Sequence, residues 1–305
     1  MDDKDIMMTP SETKPAGNFA GIDGEYGSFK KAKAVIVQVP YDRTVTYIKG
    51  TKDGPAAIIS ASQYMELFDD ELNQETFRIG INTMSPLEVE SLAPEAVIEK
   101  VYLTTQELLK AGKFPVILGG EHSISSGAVK AMKEAYPNIS VLHLDAHYDM
   151  RDELKGSKFN HGCIARRISE ICPIVQAGVR SLSKEEKDFL TGQTASGRVK
   201  TFDVYDILDT PMWKDRVSGS LTENVYITID LDVFDPSLMP AVGTPEPGGI
   251  GWYEMLDLLR EISKDKKIAG FDVVELCPIS GQVASDFLAA KLIYRILGYI
   301  FSNKK

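Results

Sequence analysis

Histidine and acidic side chains are concentrated in three short segments of the 305-residue chain, and each segment follows an apolar run. The segments read GGEHS at 119–123, DAHYD at 145–149 and DLDVFDP at 230–236. Side chains in an extended segment alternate between two faces, so residues two apart point the same way. Two glycines before His122 allow a sharp turn there, and together with the alternation this predicts that two imidazoles and four carboxylates converge on one crevice. They are His122, Asp145, His147, Asp149, Asp230 and Asp232.

Four carboxylates in one crevice need compensating positive charge, because burying like charges together is costly. Bound divalent cations are the simplest source of that charge. A set of imidazole and carboxylate ligands without cysteine suits Mn, Fe or Zn better than a structural zinc site. Two ions about 3.5–4 Å apart can generate a bridging hydroxide at neutral pH. The same carboxylates could instead hold a single Mg²⁺, although such sites rarely use two histidines.

Three residues and one loop outside these segments are further candidates for function. His143 shares the strand parity of Asp145, which leaves open whether it supports the metal ligands from behind or packs in the core. His161, in the polar loop KFNHGC, is either a surface residue or a proton carrier with an ordinary pKa near neutral pH. Glu275 ends an apolar run and forms either a salt bridge or a binding group for a guanidinium cation. The Gly- and Pro-rich stretch 243–249, which includes Thr244, is a turn that could wall the pocket.

Alternating strand-like and helix-like segments must position these residues. Short apolar and β-branched runs predict strands at 34–40, 77–81, 115–120, 139–145, 174–179, 199–204, 225–234 and 268–276. Several are apolar throughout, as expected when helices cover both faces of a parallel sheet. Apolar residues at helical spacing predict helices between them, for example over 94–113. The order predicts one three-layer α/β/α domain with a mainly parallel sheet over residues 21–305, after a loosely ordered leader at 1–20.

Composition and charge narrow the classes of function. The chain has 34 basic and 44 acidic residues, and it lacks the dense run of Lys or Arg that would hold nucleic acid. The polar N-terminus does not resemble a signal peptide, and Arg295 interrupts the most apolar late stretch, so we expect no membrane span. Three cysteines suit reduced thiols, which favours a cytoplasmic protein. The first strand lacks a G-x-G-x-x-G motif, which argues against a dinucleotide-binding module.

The motifs GGEHS, DAHYD, FNHGC, ITIDLDVFDPSLMPAVGTPEPGG and DVVEL-x-P together resemble those of the ureohydrolases, the arginase and agmatinase family. The stretches VPYD at 39–42 and KGTKDGPAAIISAS at 49–62 also resemble the amino-terminal part of agmatinases. The resemblance implies the arginase fold and two Mn²⁺ ions per chain, held by the six residues given above. It also implies a homo-oligomer, either a trimer or a hexamer of paired trimers.

The resemblance further implies residue roles and a reaction. His161 matches the histidine that shuttles protons, Glu275 matches the glutamate that holds the guanidinium, and Thr244 falls in the matching substrate loop. A hydroxide that bridges the two ions, hydrogen-bonded to Asp149, would attack the guanidinium carbon. His161 would then assist protonation of the departing amine as urea is released.

The resemblance favours agmatine as the substrate, hydrolysed to putrescine and urea in polyamine biosynthesis. Arginases hold the substrate carboxylate with Asn, Thr and Ser in the stretch after DAHxD, and here that stretch, 150–159, does not match. Guanidinobutyrase, arginase or formiminoglutamase activity stays open, since Arg151 could meet a distal carboxylate. A metal-binding homologue without turnover is the alternative from another class. The first motif carries Glu121 where Asp is more usual.

Overall fold

A computed structural model describes residues 17–302, and its centre is one sheet of eight parallel strands. The strands in chain order are β1 (Ala34–Val39), β2 (Phe68–Asp69), β3 (Gln74–Glu75), β4 (Ile81–Thr83), β5 (Phe114–Gly119), β6 (Ile139–Leu144), β7 (Ile174–Val179), β8 (Val199–Asp203), β9 (Asn224–Asp230) and β10 (Lys267–Val274). Strands β2 and β3 form a separate antiparallel ribbon. The other eight lie in the order β4-β1-β5-β10-β9-β6-β7-β8, and all neighbouring pairs are parallel.

Ten helices cover the two faces of this sheet. They are α1 (Gly24–Gly27), α2 (Gly54–Ser62), α3 (Pro94–Lys110), α4 (Ser125–Ala135), α5 (Ile164–Ile171), α6 (Lys184–Ser196), α7 (Val204–Asp209), α8 (Trp213–Ser220), α9 (Trp252–Asp265) and α10 (Ala284–Phe301), counted over the described residues. Helices α2, α8, α9 and α10 contribute to one apolar core, and α3 to α6 contribute to the other. The predicted three-layer α/β/α architecture is therefore confirmed.

Strand β1 illustrates why the strands are apolar throughout. Ala34 and Ile36 face the core beneath α2 and α10, whereas Val35, Val37 and Val39 face the core beneath α3 and α4. All six residues of the strand are buried. In many sheets, alternate residues of a strand face the core and the solvent. Because helices cover both faces of this sheet, alternate residues instead face two different apolar cores.

The strand predicted at 77–81 is displaced in the structure. Residues Thr76–Ile79 form a 3₁₀ turn, and β4 begins only at Ile81. The backbone N–H of Phe77 donates to the Tyr294 hydroxyl of α10 at 3.0 Å, so this apolar run packs against a helix instead of a neighbouring strand. Its apolar residues therefore reflect helix packing, which strand patterning alone does not distinguish.

The amino-terminal boundary differs from the predicted one. Residues 1–16 of the predicted leader lie outside the described residues. Phe19 and Ala20 are buried, and their backbone N–H groups donate to Thr83 Oγ1 and Ser62 Oγ at 2.9 and 2.8 Å. These two leader residues are therefore part of the packed domain. Within residues 17–302, no helix is both long enough and apolar enough to cross a bilayer.

The topology brings four strand ends together at the middle of the sheet. Strands β5, β10, β9 and β6 are consecutive neighbours, although the chain visits them in the order β5, β6, β9, β10. Ligands of open parallel sheets bind beyond the carboxyl ends of the strands, where the strand order reverses. The four carboxyl ends are followed by the segments that the sequence analysis singled out.

Candidate active site

Each of the four central strands delivers polar side chains to the same crevice. β5 leads through Gly119 and Gly120 to His122, and β10 leads directly to Glu275. Gly120 passes so close to a neighbouring loop that a Cβ there would lie 2.1 Å from the Tyr41 carbonyl oxygen. Only glycine fits this close approach, which lets the chain turn immediately before His122.

The six residues predicted as metal ligands all converge at this edge, in two groups that share one carboxylate. In the first group, the Nδ1 atom of His122 lies 3.1 Å from Asp145 Oδ2, 3.4 Å from Asp230 Oδ2 and 3.9 Å from Asp149 Oδ2. In the second group, the Nδ1 atom of His147 lies 2.9 Å from Asp232 Oδ2 and 3.5 Å from Asp145 Oδ1. Asp145 thus presents a different oxygen to each group.

Backbone N–H groups hold the carboxylates in place. His147 N donates to Asp145 Oδ1 at 2.6 Å, Ala146 N donates to Asp232 Oδ1 at 3.0 Å, and Asp232 N donates to Asp230 Oδ1 at 2.9 Å. The Oδ2 atom of each of these three aspartates faces an imidazole instead. The loops therefore fix the direction in which each carboxylate offers its second oxygen.

The nitrogen and oxygen atoms of this site are suited to bind divalent cations. His122 Nδ1 and Asp145 Oδ2 are buried and have no hydrogen-bond partner. Burial raises the pKa of Asp149 and of Asp230 well above the usual range, and neighbouring carboxylates raise it further. Buried ligand atoms without hydrogen-bond partners, beside carboxylates whose pKa is raised by burial, fit a site that binds divalent cations.

His143 contacts the carboxylate that the two groups share. Its Nε2 atom lies 3.0 Å from Asp145 Oδ2, and its ring stacks on His122 at a centroid distance of 5.1 Å. Its Nδ1 atom lies 3.2 Å from Gln176 Nε2, an amide nitrogen that can only donate. The ring therefore accepts this hydrogen bond through Nδ1. Of the two interpretations left open, the contact behind the carboxylates is confirmed.

A buried network on the far side of His122 was missed by the sequence analysis. His122 Nε2 lies 2.8 Å from Thr228 Oγ1, and Thr228 donates to Asp272 Oδ1 at 2.6 Å. Tyr226 donates to the other carboxylate oxygen of Asp272 at 2.8 Å. The only signal in the sequence is that Thr228 and Asp272 interrupt otherwise apolar strands, at positions on the face towards α4.

Glu275 occupies a strained and buried position. Its φ angle is 66°, in the left-handed region that non-glycine residues rarely adopt. One carboxylate oxygen, Oε1, accepts the His122 backbone N–H at 2.7 Å. Among residues 17–302, no Lys or Arg nitrogen lies within salt-bridge distance of this carboxylate, so the salt-bridge interpretation is wrong. Burial raises its pKa well above the usual range, with Asp230 adding to the shift.

His161 lies beside Glu275, with its Nδ1 atom 3.9 Å from Glu275 Oε1. Its side chain is 14% exposed and its Nε2 atom is buried without a partner, so the surface interpretation is wrong. Burial lowers the pKa of His161 to about 4. The expectation of an ordinary pKa is therefore wrong as well, and the imidazole is neutral at physiological pH.

A cavity of about 300 Å³ opens from this centre to the surface. Its lining includes Asp149, Asp230, His147 and His161 from the centre. Thr244, from the loop at 243–249, and the exposed Thr46 line the cavity as well.

Arg151 also lines this cavity, and its guanidinium lies 3.9 Å from Glu186 Oε2. The cavity wall therefore carries two hydroxyls, two carboxylates, two imidazoles and one guanidinium, together with Leu154 and Gly162.

Comparison with known proteins identifies the family. A model of the arginase family matches residues 32–298. The N(1)-aminopropylagmatine ureohydrolase of Synechocystis is 39% identical over 280 residues, covering 89% of this chain and 90% of that protein. The agmatinase of Pyrococcus horikoshii is 35% identical over 279 residues, covering 88% and 92%. The crystal structure of agmatine ureohydrolase of Thermoplasma volcanium matches with a TM-score of 0.84 at 30% identity, covering 94% and 95%. The chain belongs to the arginase family and is a ureohydrolase, which hydrolyses amidine C–N bonds.

Proposed function

We propose that this ureohydrolase hydrolyses the guanidinium group of agmatine, releasing urea and putrescine. The observation that carries the proposal is Glu275, a buried carboxylate that has no Lys or Arg partner within residues 17–302 and lies 3.9 Å from His161, which lines the cavity. Such a group favours a cation that brings its own hydrogen-bond donors, and a guanidinium offers five in a planar arrangement. The absence of an arginase-like carboxylate clamp at 150–159 supports a substrate without a carboxylate at its distal end.

We assign two metal ions, expected to be Mn²⁺, to the two groups of ligands. His122, Asp145, Asp149 and Asp230 would hold one ion, and His147, Asp145 and Asp232 would hold the other. Metal ions bound there would neutralise the carboxylates and activate a water molecule for attack on the guanidinium carbon. The identity and number of the ions stay predictions.

The chain's own residues orient the substrate and move the proton. Glu275 would accept hydrogen bonds from the guanidinium through Oε2, because Oε1 already accepts the His122 N–H. Asp149, whose φ angle of 50° turns its side chain into the cavity, would accept a hydrogen bond from the attacking water. His161, which lines the cavity beside Glu275, would take up a proton at the reacting centre and pass it to the departing amine. Thr244 would line the path of the alkyl chain.

N(1)-aminopropylagmatine is a second candidate substrate. The Synechocystis relative, 39% identical, carries that activity in its name. The exposed position of Thr46 and the partly exposed Arg151 place the open end of the cavity in solvent, so an additional aminopropyl group could extend outwards from it. The buried end of the site, where the guanidinium would bind, is the same for both compounds.

Urea release from four compounds tests these alternatives. The manganese-loaded protein is assayed with agmatine, N(1)-aminopropylagmatine, guanidinobutyrate and arginine at matched concentrations, with Glu275→Gln as the control variant. We expect the highest kcat/KM for agmatine and a large loss in the variant. Preference for N(1)-aminopropylagmatine would support the same reaction on a different substrate. Preference for guanidinobutyrate would indicate that Arg151 binds the carboxylate of that substrate. No urea from any compound, with two ions verified per chain, would contradict the proposal and support a homologue without turnover.

Two further expectations accompany this function and stay predictions. The three cysteines are free and buried, which is compatible with the cytoplasmic location predicted from the sequence. A trimer or hexamer is expected from the resemblance, and the mass of the native protein in solution tests it.

A further inference from the structure

Glu121, the residue at which the first motif departs from the family pattern, is a fully buried carboxylate with three hydrogen-bond donors. The backbone N–H of Thr44 donates to Oε2 at 2.6 Å, and the Thr44 hydroxyl donates to Oε1 at 2.6 Å. The Ser123 hydroxyl donates to Oε1 at 2.5 Å. None of the described residues gives Glu121 an ion pair, so hydroxyl and amide donors alone satisfy this carboxylate.

Thr44 connects this carboxylate to the loop that carries His161. The Thr44 hydroxyl oxygen accepts the His161 backbone N–H at 3.0 Å, and the Thr44 carbonyl oxygen accepts the Asn160 side-chain amide at 3.2 Å. Asn160 in turn accepts the Gly162 N–H at 3.1 Å. Two direct hydrogen bonds therefore attach the loop segment 160–162 to Thr44. One comes from the Asn160 side-chain amide and the other from the His161 backbone N–H.

The direction of the Thr44 hydroxyl follows from the carboxylate. A threonine hydroxyl has one proton to donate, and the Thr44 hydroxyl donates it to Glu121 Oε1. When the proton points to Glu121, the lone pairs of the same oxygen are free to face the His161 N–H. Glu121 thus sets the hydroxyl in the orientation that holds His161.

We propose that Thr44 and Glu121 are positioning residues for His161. The kinetic part of this inference rests on the proposed function, because it concerns the proton transfer assigned to His161. A glutamate at 121 fits the role, because its two carboxylate oxygens accept the backbone N–H and the hydroxyl of Thr44.

Two hydroxyl deletions on the same carboxylate separate positioning from loss of stability. Thr44→Val removes the hydroxyl that contacts both Glu121 and His161, whereas Ser123→Ala removes a hydroxyl whose hydrogen bond goes to Glu121 instead of to the His161 loop. We expect Thr44→Val to lower kcat about tenfold or more with little change in KM, because a small misplacement of a reacting group is costly. Thr44→Ser should restore kcat, Ser123→Ala should leave it near the wild-type value, and all variants should keep their metal content.

A double-mutant cycle tests whether Thr44 acts through His161. His161→Ala alone should lower kcat about a hundredfold while the ions stay bound. Adding Thr44→Val to that variant should then have no further effect, because the group it positions is absent. Equal additional losses in both backgrounds would overturn the proposal.

Amide hydrogen exchange tests the same contact without any catalysis. We expect Thr44→Val to accelerate exchange in a peptide spanning 158–164, while Thr44→Ser and Ser123→Ala leave it near the wild-type rate. Unchanged exchange in Thr44→Val, or equal acceleration in Ser123→Ala, would overturn the proposal. If the wild-type protein releases no urea from any guanidino compound, the proposed function fails, whereas the exchange result still decides whether Thr44 holds this loop.

Discussion

The Thr228 hydroxyl lies 2.8 Å from the Nε2 atom of His122, on the side of the imidazole that faces away from the site's carboxylates. Thr228 donates its proton to Asp272, so its oxygen can only accept from His122. The neutral His122 ring must therefore carry its proton on Nε2 and present a bare Nδ1 to Asp145 and Asp230. An outer carboxylate that fixes the tautomer of a histidine through a hydrogen bond is a recurring feature of metal sites.

Removal of the Thr228 hydroxyl should weaken metal binding. Thr228→Val keeps the size of the side chain but leaves the Nε2 proton of His122 without an acceptor. We expect its manganese affinity to fall about tenfold, in the range known for outer contacts of ligating histidines. Competition with a fluorescent chelator measures this, and Thr228→Ser, which keeps the hydroxyl, is the matched control. Equal affinities of wild type and Thr228→Val would exclude this role.

Loss of Asp145 should affect metal content more than loss of Asp232. Asp145 faces both His122 and His147, whereas Asp232 faces His147 alone. We expect Asp232→Ala to retain about one ion per chain and Asp145→Asn to retain fewer, since metal content follows the number of intact ligands. Elemental analysis of the purified proteins measures both. The assignment of the two groups is wrong if Asp232→Ala keeps two ions, or if Asp145→Asn loses no more than Asp232→Ala.

The sequence was sufficient to predict the central part of this site for a local reason. Asp145, His147 and Asp149 follow directly after β6, and strand ends of a parallel sheet meet at one edge, although 145–149 is not extended and Asp149 has a φ angle of 50°. By contrast, Thr228 and Asp272 contact His122 across strand pairs that are distant in the sequence. No spacing rule connects residue 228 to residue 122, so their role became visible only in the folded chain.

The environment of His161 also could not be read from its neighbours in the sequence. The polar loop KFNHGC suggests exposure, but this loop folds inwards, and Thr44, more than a hundred residues earlier, accepts the His161 N–H. The resulting burial lowers the pKa of His161 to about 4. A pKa depends on the surrounding three-dimensional structure, which a loop sequence does not specify.

The lowered pKa of His161 should appear in the stability of the metal-free protein. The unfolded chain binds a proton at the ordinary histidine pKa of about 6.5, whereas the folded chain resists it until about pH 4. His161 therefore does not change the free energy of unfolding above its pKa in the unfolded chain. It lowers that free energy as the pH falls towards its pKa in the folded chain. Relative to His161→Gln, the wild type should lose up to about 3 kcal/mol between pH 7 and pH 4. Chemical denaturation at several pH values measures the difference, and parallel curves would contradict the lowered pKa.

The three cysteines should be unreactive in the folded protein. Burial raises the pKa of Cys163 to about 12 and that of Cys172 to about 11, and it also raises the pKa of Cys277. Because the thiolate is the reactive form, a raised pKa leaves almost none of it at a pH of about 8. We expect a disulfide reagent such as Ellman's to label no thiol within minutes in the native protein and three after unfolding. Rapid labelling of Cys163 in the native protein would mean that the loop around His161 opens to solvent, whereas fewer than three thiols after unfolding would contradict the free state of the cysteines.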